Sequence, residues 1–591
     1  MDTRINTENM MMRIGIIGTG RIAGRCVQAI QTYIPEIHIN CVYNPKIESA
    51  IEFANRYNIK LYTSDWNILM NNVDAVYIAS PHETHYTYSR LALECGRHVI
   101  CEKPAALKKN QVQELTDMAA SRKLVYMEAL KTEYCSGYKS LIEAADSGKI
   151  GRIIEVEAAF TRLTQLNTRE YMNDKYNGSF LELGSYVLLP VIELMGCQYD
   201  DITFRSVRAQ NGVDTYTKAF IDYKDKTAIV KTGIGAKTEG QLVITGTNGY
   251  ILAGSPWWLT KEYEIRYEDS NRKEVYKYEY EDSGLQYELR EFLRRISDNE
   301  YKSDKMNNVS LAMAGVMEQF IQWNSDIYKG LNEQFQLKCK QKSMPYIWAH
   351  RGCCTLYPEN TLEAFRVAAM LDSIKGIELD IQLTLDQQIV VFHDENLKRV
   401  TGIDKTVAEC TLEEIKNINI PMHQGKDCKI PTLEEVLVMM KPYCIEKGEL
   451  INIELKTSVT RYSGIEEKAM RLVKQYNMED YIIWSSFLAD SIKKIKELDN
   501  TAKTGALAVS LEECISMARH TDADALHPYI GGLIYELPDD MNDMPVRAWN
   551  MDEPFYEDGR QLKELHLDKY AGYGATDIFT NIPQNYIKLQ R

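Results

Sequence analysis

A chain of 591 residues is too long for one hydrophobic core, so several domains are expected. Apolar residues make up 45% and charged residues 26%, the balance of a soluble globular protein. The net charge of −15 argues against a nucleic-acid partner and an anionic membrane surface, so any phosphate-bearing substrate must meet local positive charge or a metal.

The first residues carry no apolar core of signal-peptide length, and no window approaches a membrane-spanning run. The thirteen cysteines are scattered without a C-x-x-C pair, which suits reduced thiols and a cytoplasmic location. In chain order, Arg13 to Gly18 reads as a strand, followed at once by the glycine turn of G-I-I-G-T-G-R-I-A (15–23) and a helix. Further buried-looking runs at 37–43, 74–80 and 98–104 alternate with helical stretches, which implies a parallel, doubly wound sheet over 11–130. From about Ile153 strands come close together with few helices, so 131–335 reads as an α+β domain on a mostly antiparallel sheet, closed by a helix at Val309–Tyr328. The polar segment 338–345 ends in proline and reads as a linker. Beyond it, eight strands recur over 345–591: 346–350, 376–381, 451–456, 481–487, 503–507, 523–527, 546–550 and 576–580. Most are followed by a helical pattern, the beat of a (β/α)8 TIM barrel. Leu383 with Ile389–Phe392 adds a hairpin after its second strand.

In the first half, Gly18 and Gly20 permit a tight turn and close approach to a pyrophosphate, with Arg21 and Ile22 opening the helix that would hold it. The second strand ends in Asn44-Pro45-Lys46 where an acid would meet the ribose of NAD. Lys46 is either placed to meet a 2′-phosphate, which slightly favours NADP over NAD, or is a solvated surface lysine. With A-S-P-H-E-T-H (79–85), which contains Ser80, and C-E-K-P-A (101–105), which contains Glu102 and Lys103, this half resembles the Gfo/Idh/MocA oxidoreductases over 11–330. The resemblance implies an NAD(P) site, places Lys103 beside the nicotinamide, and matches G-S-F-L-E-L-G-S-Y (178–186) to the second catalytic stretch. Glu182 stands there where aspartate is usual, and Tyr186 where many members have histidine. Four residues apart on a helix, both face one way, and a tyrosine beside a lysine can exchange a proton with a carbonyl or alcohol. Lys131 replaces an aromatic residue of the dihydrodiol-dehydrogenase branch. The resemblance also implies a homo-oligomer.

In the second half, apolar runs end on His350-Arg351, on Glu378 and Asp380, and on His393-Asp394. Glu378 and Asp380, two apart on a strand, point to one side, and Glu454 on a neighbouring strand makes a third hard oxygen ligand, a set suited to Mg²⁺ or Ca²⁺. His350 and His393 offer an acid and a base near neutral pH. Arg351 and Lys456 are placed to bind phosphate oxygens. The segments A-H-R-G (349–352), P-E-N-T-L-E-A-F (358–365), I-E-L-D-I (377–381), F-H-D (392–394), I-N-I-E-L-K (451–456), S-S-F (485–487), V-R-A-W-N (546–550) and T-D-I-F-T-N-I-P (576–583) run in order over 345–591. They resemble the glycerophosphodiester phosphodiesterase family. That resemblance implies metal ligation by Glu378, Asp380 and Glu454, with the histidines working across the scissile phosphate. One departure stands out: Thr576-Asp577 occupy the places of an aspartate-glycine pair.

The expected function is therefore bifunctional, a metal-dependent glycerophosphodiester hydrolase joined to an NAD(P)-dependent oxidoreductase of a sugar, polyol or related alcohol. The alternative is a phosphodiesterase whose first half only binds dinucleotide or mediates assembly.

Overall fold

The computed structural model describes residues 11–587, apart from 165–167, 172–175, 302–303, 423–426, 534–536, 551–554, 558–559 and 563–564. The chain forms two compact units, Met1–Lys329 and Gly330–Arg591.

The first unit opens with β1 (Met12–Ile17), β2 (Ile37–Tyr43), β3 (Leu61–Thr63), β4 (Ala75–Ile78), β5 (His98–Glu102) and β6 (Tyr126–Ala129). These pair in parallel in the order β3-β2-β1-β4-β5-β6, the order of a doubly wound dinucleotide fold. Strand order reverses between β1 and β4, so their carboxyl ends open a crevice. The runs of β1, β4 and β5 lack alternation because both faces are covered, as at Ile14, Ile16, Val76 and Val99. The short β3 and β6 also belong to the sheet; neither was legible as an apolar run.

A second sheet comprises β7 (Ile153–Thr161), β8 (Asp201–Arg208), β9 (Asp214–Tyr223), β10 (Lys226–Gly233), β11 (Leu242–Gly246), β12 (Tyr250–Ala253), β13 (Glu262–Arg266) and β14 (Lys273–Lys277). Its order is β14-β13-β12-β11-β7-β10-β9-β8, antiparallel except between β7 and β10. The helix Ser179–Met195 packs against β7, β9 and β10. It is apolar almost all round, which is why it is buried, and it presents Glu182 and Tyr186 at its partly open end.

In the second unit, β15 (Tyr346–His350), β16 (Gly376–Leu383), β17 (Ile389–Val391), β18 (Leu450–Leu455), β19 (Ile482–Ser486), β20 (Lys503–Ala508), β21 (Ala525–Pro528) and β22 (Arg547–Trp549) come first. A hairpin of β23 (Phe555–Glu557) and β24 (Arg560–Leu562) and then β25 (Asp577–Thr580) follow. The parallel path runs β21-β20-β19-β18-β16-β15-β25-β22. Bridges Leu526–Val546 and Tyr529–Trp549 close it into an eight-stranded barrel. The strand β17 folds back antiparallel on β16 as the expected hairpin excursion. Trp348, Ile483, Leu507, Trp549 and Phe579 fill one part of the interior.

The helix expected over Val309–Tyr328 spans Asp304–Gln341. It runs through the first residues of the segment read as a linker, because no proline interrupts it before Pro345 and because Phe335 and Cys339 are buried. Phe335 lies 4.5 Å from the ring of Tyr573, and Cys339 Sγ points to the carbonyl of Lys569.

Candidate active sites

At the carboxyl end of the barrel, the strand ends bring His350, Arg351, Glu378, Asp380, His393, Glu454 and Lys456 together. One oxygen each from Glu378, Asp380 and Glu454 lies within 4.8 Å of the others, and all three residues are buried. Burial, then Asp380 and Glu454, push the Glu378 carboxyl well above the usual range. Burial likewise raises Glu454. Burial works against ionised Asp380 too, but His393, Arg351 and Lys456 hold it below the usual range. Asp380 Oδ1 accepts no hydrogen bond among the described residues. Three carboxylates so placed repel one another and offer hard oxygen donors, so the donor set fits a divalent metal such as Mg²⁺ or Ca²⁺.

The two histidines are held differently. His350 Nδ1 donates to Asn581 Oδ1 at 2.8 Å, and its Nε2 faces Glu378 Oε2 at 3.8 Å. Burial, then the charge of Arg351, lowers it to about 3. His393 Nδ1 donates to Asp394 Oδ1 at 2.6 Å, while Lys456 Nζ lies 3.2 Å from its Nε2. Lys456 also pairs with Glu454 at 2.9 Å. Burial would lower this lysine, but Glu454 and Asp380 raise it and keep it charged.

Arg351 adopts φ +59° and Gly352 φ +92° as the chain turns out of β15. A Cβ on Gly352 would stand 2.7 Å from that of Ala364, so only glycine fits. The turn brings the Arg351 amide to Glu378 Oε2 at 3.1 Å and its Nε to 3.4 Å from Asp380.

The supporting groups Asn360, Glu359 and Asn581 lie inside the segments quoted above without being singled out, and Asp394 was named there only as the end of an apolar run. Asn360 Nδ2 donates to Asp380 Oδ2 at 2.8 Å. Arg399 carries no signal in sequence; it bridges Glu359 and Asp394, each at 2.6 Å. Asp577 lies at the start of β25, away from the mouth, where it accepts from Trp348 Nε1 at 2.8 Å. The departure at 576–577 therefore lies outside the carboxylate cluster.

In the first unit, a cleft of about 890 Å³ opens at the crevice beyond β1 and β4. Gly18, Gly20, Arg21, Ile22, Asn44 and Ser80 contribute to its lining. Gly18 has φ +101°, and a Cβ there would lie 2.5 Å from the carbonyl oxygen of Ala79. A Cβ on Gly20 would meet no protein atom within 4 Å, which leaves room for a ligand against the backbone. The helix Arg21–Tyr33 has no side-chain cap at Gly20, so its first N–H groups are available to a phosphate. These features fit a dinucleotide. Asn44 donates to Thr19 Oγ1 at 2.8 Å and accepts from the Lys46 amide at 2.9 Å. Lys46 itself is exposed before the helix Ile47–Tyr57 and is not among the residues lining the cleft.

Deeper in, Lys103 is buried and its Nζ donates to the Glu182 carbonyl at 2.8 Å. Its charge lies 3.4 Å from Glu182 Oε1 and 5.9 Å from the centre of the Tyr186 ring. Burial opposes ionised Glu182, yet Lys103, His82 and Arg162 lower it to about 2. Burial, then Glu102, raises the Tyr186 phenol well above its usual range, so it is protonated at neutral pH. Glu102 accepts from Tyr77 Oη at 2.6 Å. Lys131 lines the cleft and donates to the Ser283 carbonyl. Sequence reading missed His82, 3.5 Å from Glu182, although it lies in the quoted 79–85 segment, and Arg162, 3.3 Å from the same acid, which carries no signal.

Comparison with known proteins separates the two units. Residues 350–581 match the glycerophosphoryl diester phosphodiesterase family. The glycerophosphodiester phosphodiesterase of Caldanaerobacter subterraneus subsp. tengcongensis is 36% identical over 249 residues, 41% of this chain and 96% of that protein. The chain belongs to the glycerophosphodiester phosphodiesterase family. Residues 12–130 match the Gfo/Idh/MocA oxidoreductase family with its NAD-binding Rossmann fold, and 138–252 match the C-terminal domain of that group. The scyllo-inositol 2-dehydrogenase (NADP(+)) IolU of Bacillus subtilis is 29% identical over 322 residues, 52% of this chain and 96% of that protein. Among solved structures, the 3-ketoreductase KijD10 of Actinomadura kijaniata with NADP and TDP-benzene aligns at TM-score 0.47 and 22% identity. It covers 52% of this chain and 96% of its own. Among the described residues, no helix is long and apolar enough to cross a membrane.

Proposed function

We propose that the barrel unit hydrolyses a glycerophosphodiester to sn-glycerol 3-phosphate and an alcohol, and that the first unit oxidises or reduces a polyol with NAD(P). The observation that carries the first half is the buried carboxylate triad set between two histidines. Glu378, Asp380 and Glu454 would hold Mg²⁺ or Ca²⁺, which supplies polarisation of a phosphoryl oxygen. Arg351 and Lys456 would bind the other phosphate oxygens. His393 is oriented through its Nδ1 by the Asp394 carboxylate, and its Nε2 would pass the proton to the leaving alcohol. His350 is bonded through Nδ1 to a neutral amide, and burial favours its neutral form. It takes the proton from the attacking glycerol hydroxyl or water.

In the first unit, Tyr186 would pass a proton to or from the substrate oxygen, with Lys103 beside it and Glu182 holding Lys103 in place. The dinucleotide supplies or accepts the hydride. Similarity to an inositol dehydrogenase that uses NADP(+) supports an inositol-type polyol as substrate, with NADP as cofactor. The two reactions would then join: glycerophosphoinositol yields glycerol 3-phosphate and inositol, and the first unit oxidises the inositol. A panel of glycerophosphodiesters incubated with metal and NAD(P)⁺ tests this, following glycerol 3-phosphate release and nicotinamide absorbance together. Hydrolysis with no nicotinamide signal for any head group would break the link.

A further inference from the structure

One layer below the catalytic groups, the inside of the barrel carries polar side chains that the chemistry above does not use. Asn452 lies two residues before Glu454 on β18, on the same side and one step deeper. Its Nδ2 donates to Ser485 Oγ on β19 at 2.9 Å. Ser485 is in register with Gly505 on β20. A Cβ on Gly505 would stand 2.3 Å from the ring of His527, so the absent side chain makes room for the imidazole from β21. Asn452, Ser485 and His527 line one pocket with His350 and His393.

This layer is incompletely satisfied. Arg547 Nη1 lies 3.5 Å from His527 Nε2, and a guanidinium only donates, so Nε2 accepts and the ring proton sits on Nδ1. Burial and the charge of Arg547 keep the ring neutral. His527 Nδ1 is then a donor without a partner, and Asn452 Oδ1 an acceptor without one, among the described residues. Buried groups of both kinds call for a ligand that donates and accepts at once, which is what a hydroxyl does. The pocket holds about 50 Å³. A water needs roughly 10–15 Å³ on this scale, so there is room for a few hydroxyl-sized groups and not for a six-membered polyol ring.

We propose that Asn452, Ser485 and His527 grip the free hydroxyl arm of the substrate's glycerol moiety while the phosphate lies between the histidines. The proposal rests on the phosphodiesterase reading. Its test uses the full-length chain with metal and four substrates. These are bis(4-nitrophenyl) phosphate, glycerophosphocholine, glycerophosphoinositol, and a glycerophosphocholine analogue that keeps the 2-hydroxyl and lacks the terminal one. The unmutated protein should prefer glycerophosphocholine over the analogue by about tenfold in kcat/KM, the worth of one well-made hydrogen bond. His527→Phe and Asn452→Leu should erase that preference, chiefly through KM, because hydroxyl and side chain act as one pair. Indifference of the unmutated protein to the terminal hydroxyl would overturn the proposal and leave the layer to internal water. So would variants that retain the full preference, or losses seen only with the inositol ester. If a variant does not fold, the preference of the unmutated protein decides alone. Absence of hydrolysis of every substrate, bis(4-nitrophenyl) phosphate included, would overturn the phosphodiesterase reading itself and this one with it.

Discussion

The two candidate sites solve opposite electrostatic problems. At the barrel mouth, three carboxylates crowd together and burial raises two of them, so their charges are compensated only in part by Arg351 and Lys456. In the cleft, Glu182 sits between Lys103, His82 and Arg162, and its charge is already compensated by the chain. The first arrangement is the one a bound cation would relieve. The other depends on its backbone turn to hold a cofactor and needs no ion. Side chains that repel one another point to a missing ligand, whereas side chains that pair point to a preset proton path.

Chelation should break this comparison most sharply. Exhaustive EDTA should abolish phosphodiester hydrolysis, Mg²⁺ or Ca²⁺ should restore it, and hydride transfer in the same preparation should not change. Equal sensitivity of both activities would end the contrast. Next in size come the barrel histidines. His350→Ala and His393→Ala should each lower turnover by roughly 10²–10⁴ at nearly unchanged melting temperature. A variant with near-normal turnover would remove that histidine from the proton path. In the cleft, Lys103→Ala and Tyr186→Phe should lower hydride transfer by on the order of 10² while leaving dinucleotide affinity close to normal, since the Gly18–Gly20 turn carries that binding. Fluorescence titration of the dinucleotide and single-turnover rates check this. Loss of binding in Tyr186→Phe would make the tyrosine structural.

The fold was legible where a single period dominates. All eight barrel strands and the hairpin on β16 were visible as apolar runs, and so were four of the six Rossmann strands. The two that were not, β3 and β6, read L-Y-T and Y-M-E-A, where a threonine and a glutamate break the apolar run that β4 keeps over A-V-Y-I. The long helix was cut short at Tyr328 because the residues after it look polar, and its reason for continuing, the burial of Phe335 and Cys339, is tertiary. The candidate site side chains lie on strand ends or, for Glu182 and Tyr186, on a helix, within recognisable segments. Arg399 and Arg162 reach their acids from elsewhere in the chain, so only the fold reveals them.

That helix yields a smaller effect. A fragment beginning at Gly330 should be more stable than one beginning at Met344 by about 2–4 kcal/mol, the burial lost with Phe335 and Cys339. Urea midpoints of the two fragments measure it. Equal midpoints would mean the helix end contributes nothing to the barrel.

The smallest effect contrasts two acids at opposite ends of β18. Glu454 at the mouth has Lys456 at 2.9 Å and a place in the carboxylate cluster. Glu449, just before the strand, is 2% exposed, and neither oxygen accepts a hydrogen bond among the described residues. Lys447 is the nearest cation, at 3.6 Å. Burial, partly offset by Lys447, raises Glu449 to about 7. An acid whose folded value is raised favours its protonated form in the fold. The barrel therefore loses stability as pH climbs from the unfolded value near 4.3 to about 7, and the full loss persists above that. Glu449→Gln cannot ionise and should escape it. In the Gly330–Arg591 fragment the variant should match the unmutated protein at pH 4.5 and exceed it at pH 8 by on the order of 2 kcal/mol, several degrees in melting temperature. Any packing effect of the amide is present at both pH values, so the change in the difference isolates the charge. A gap that stays constant from pH 4.5 to 8 would show that Glu449 ionises freely in the fold.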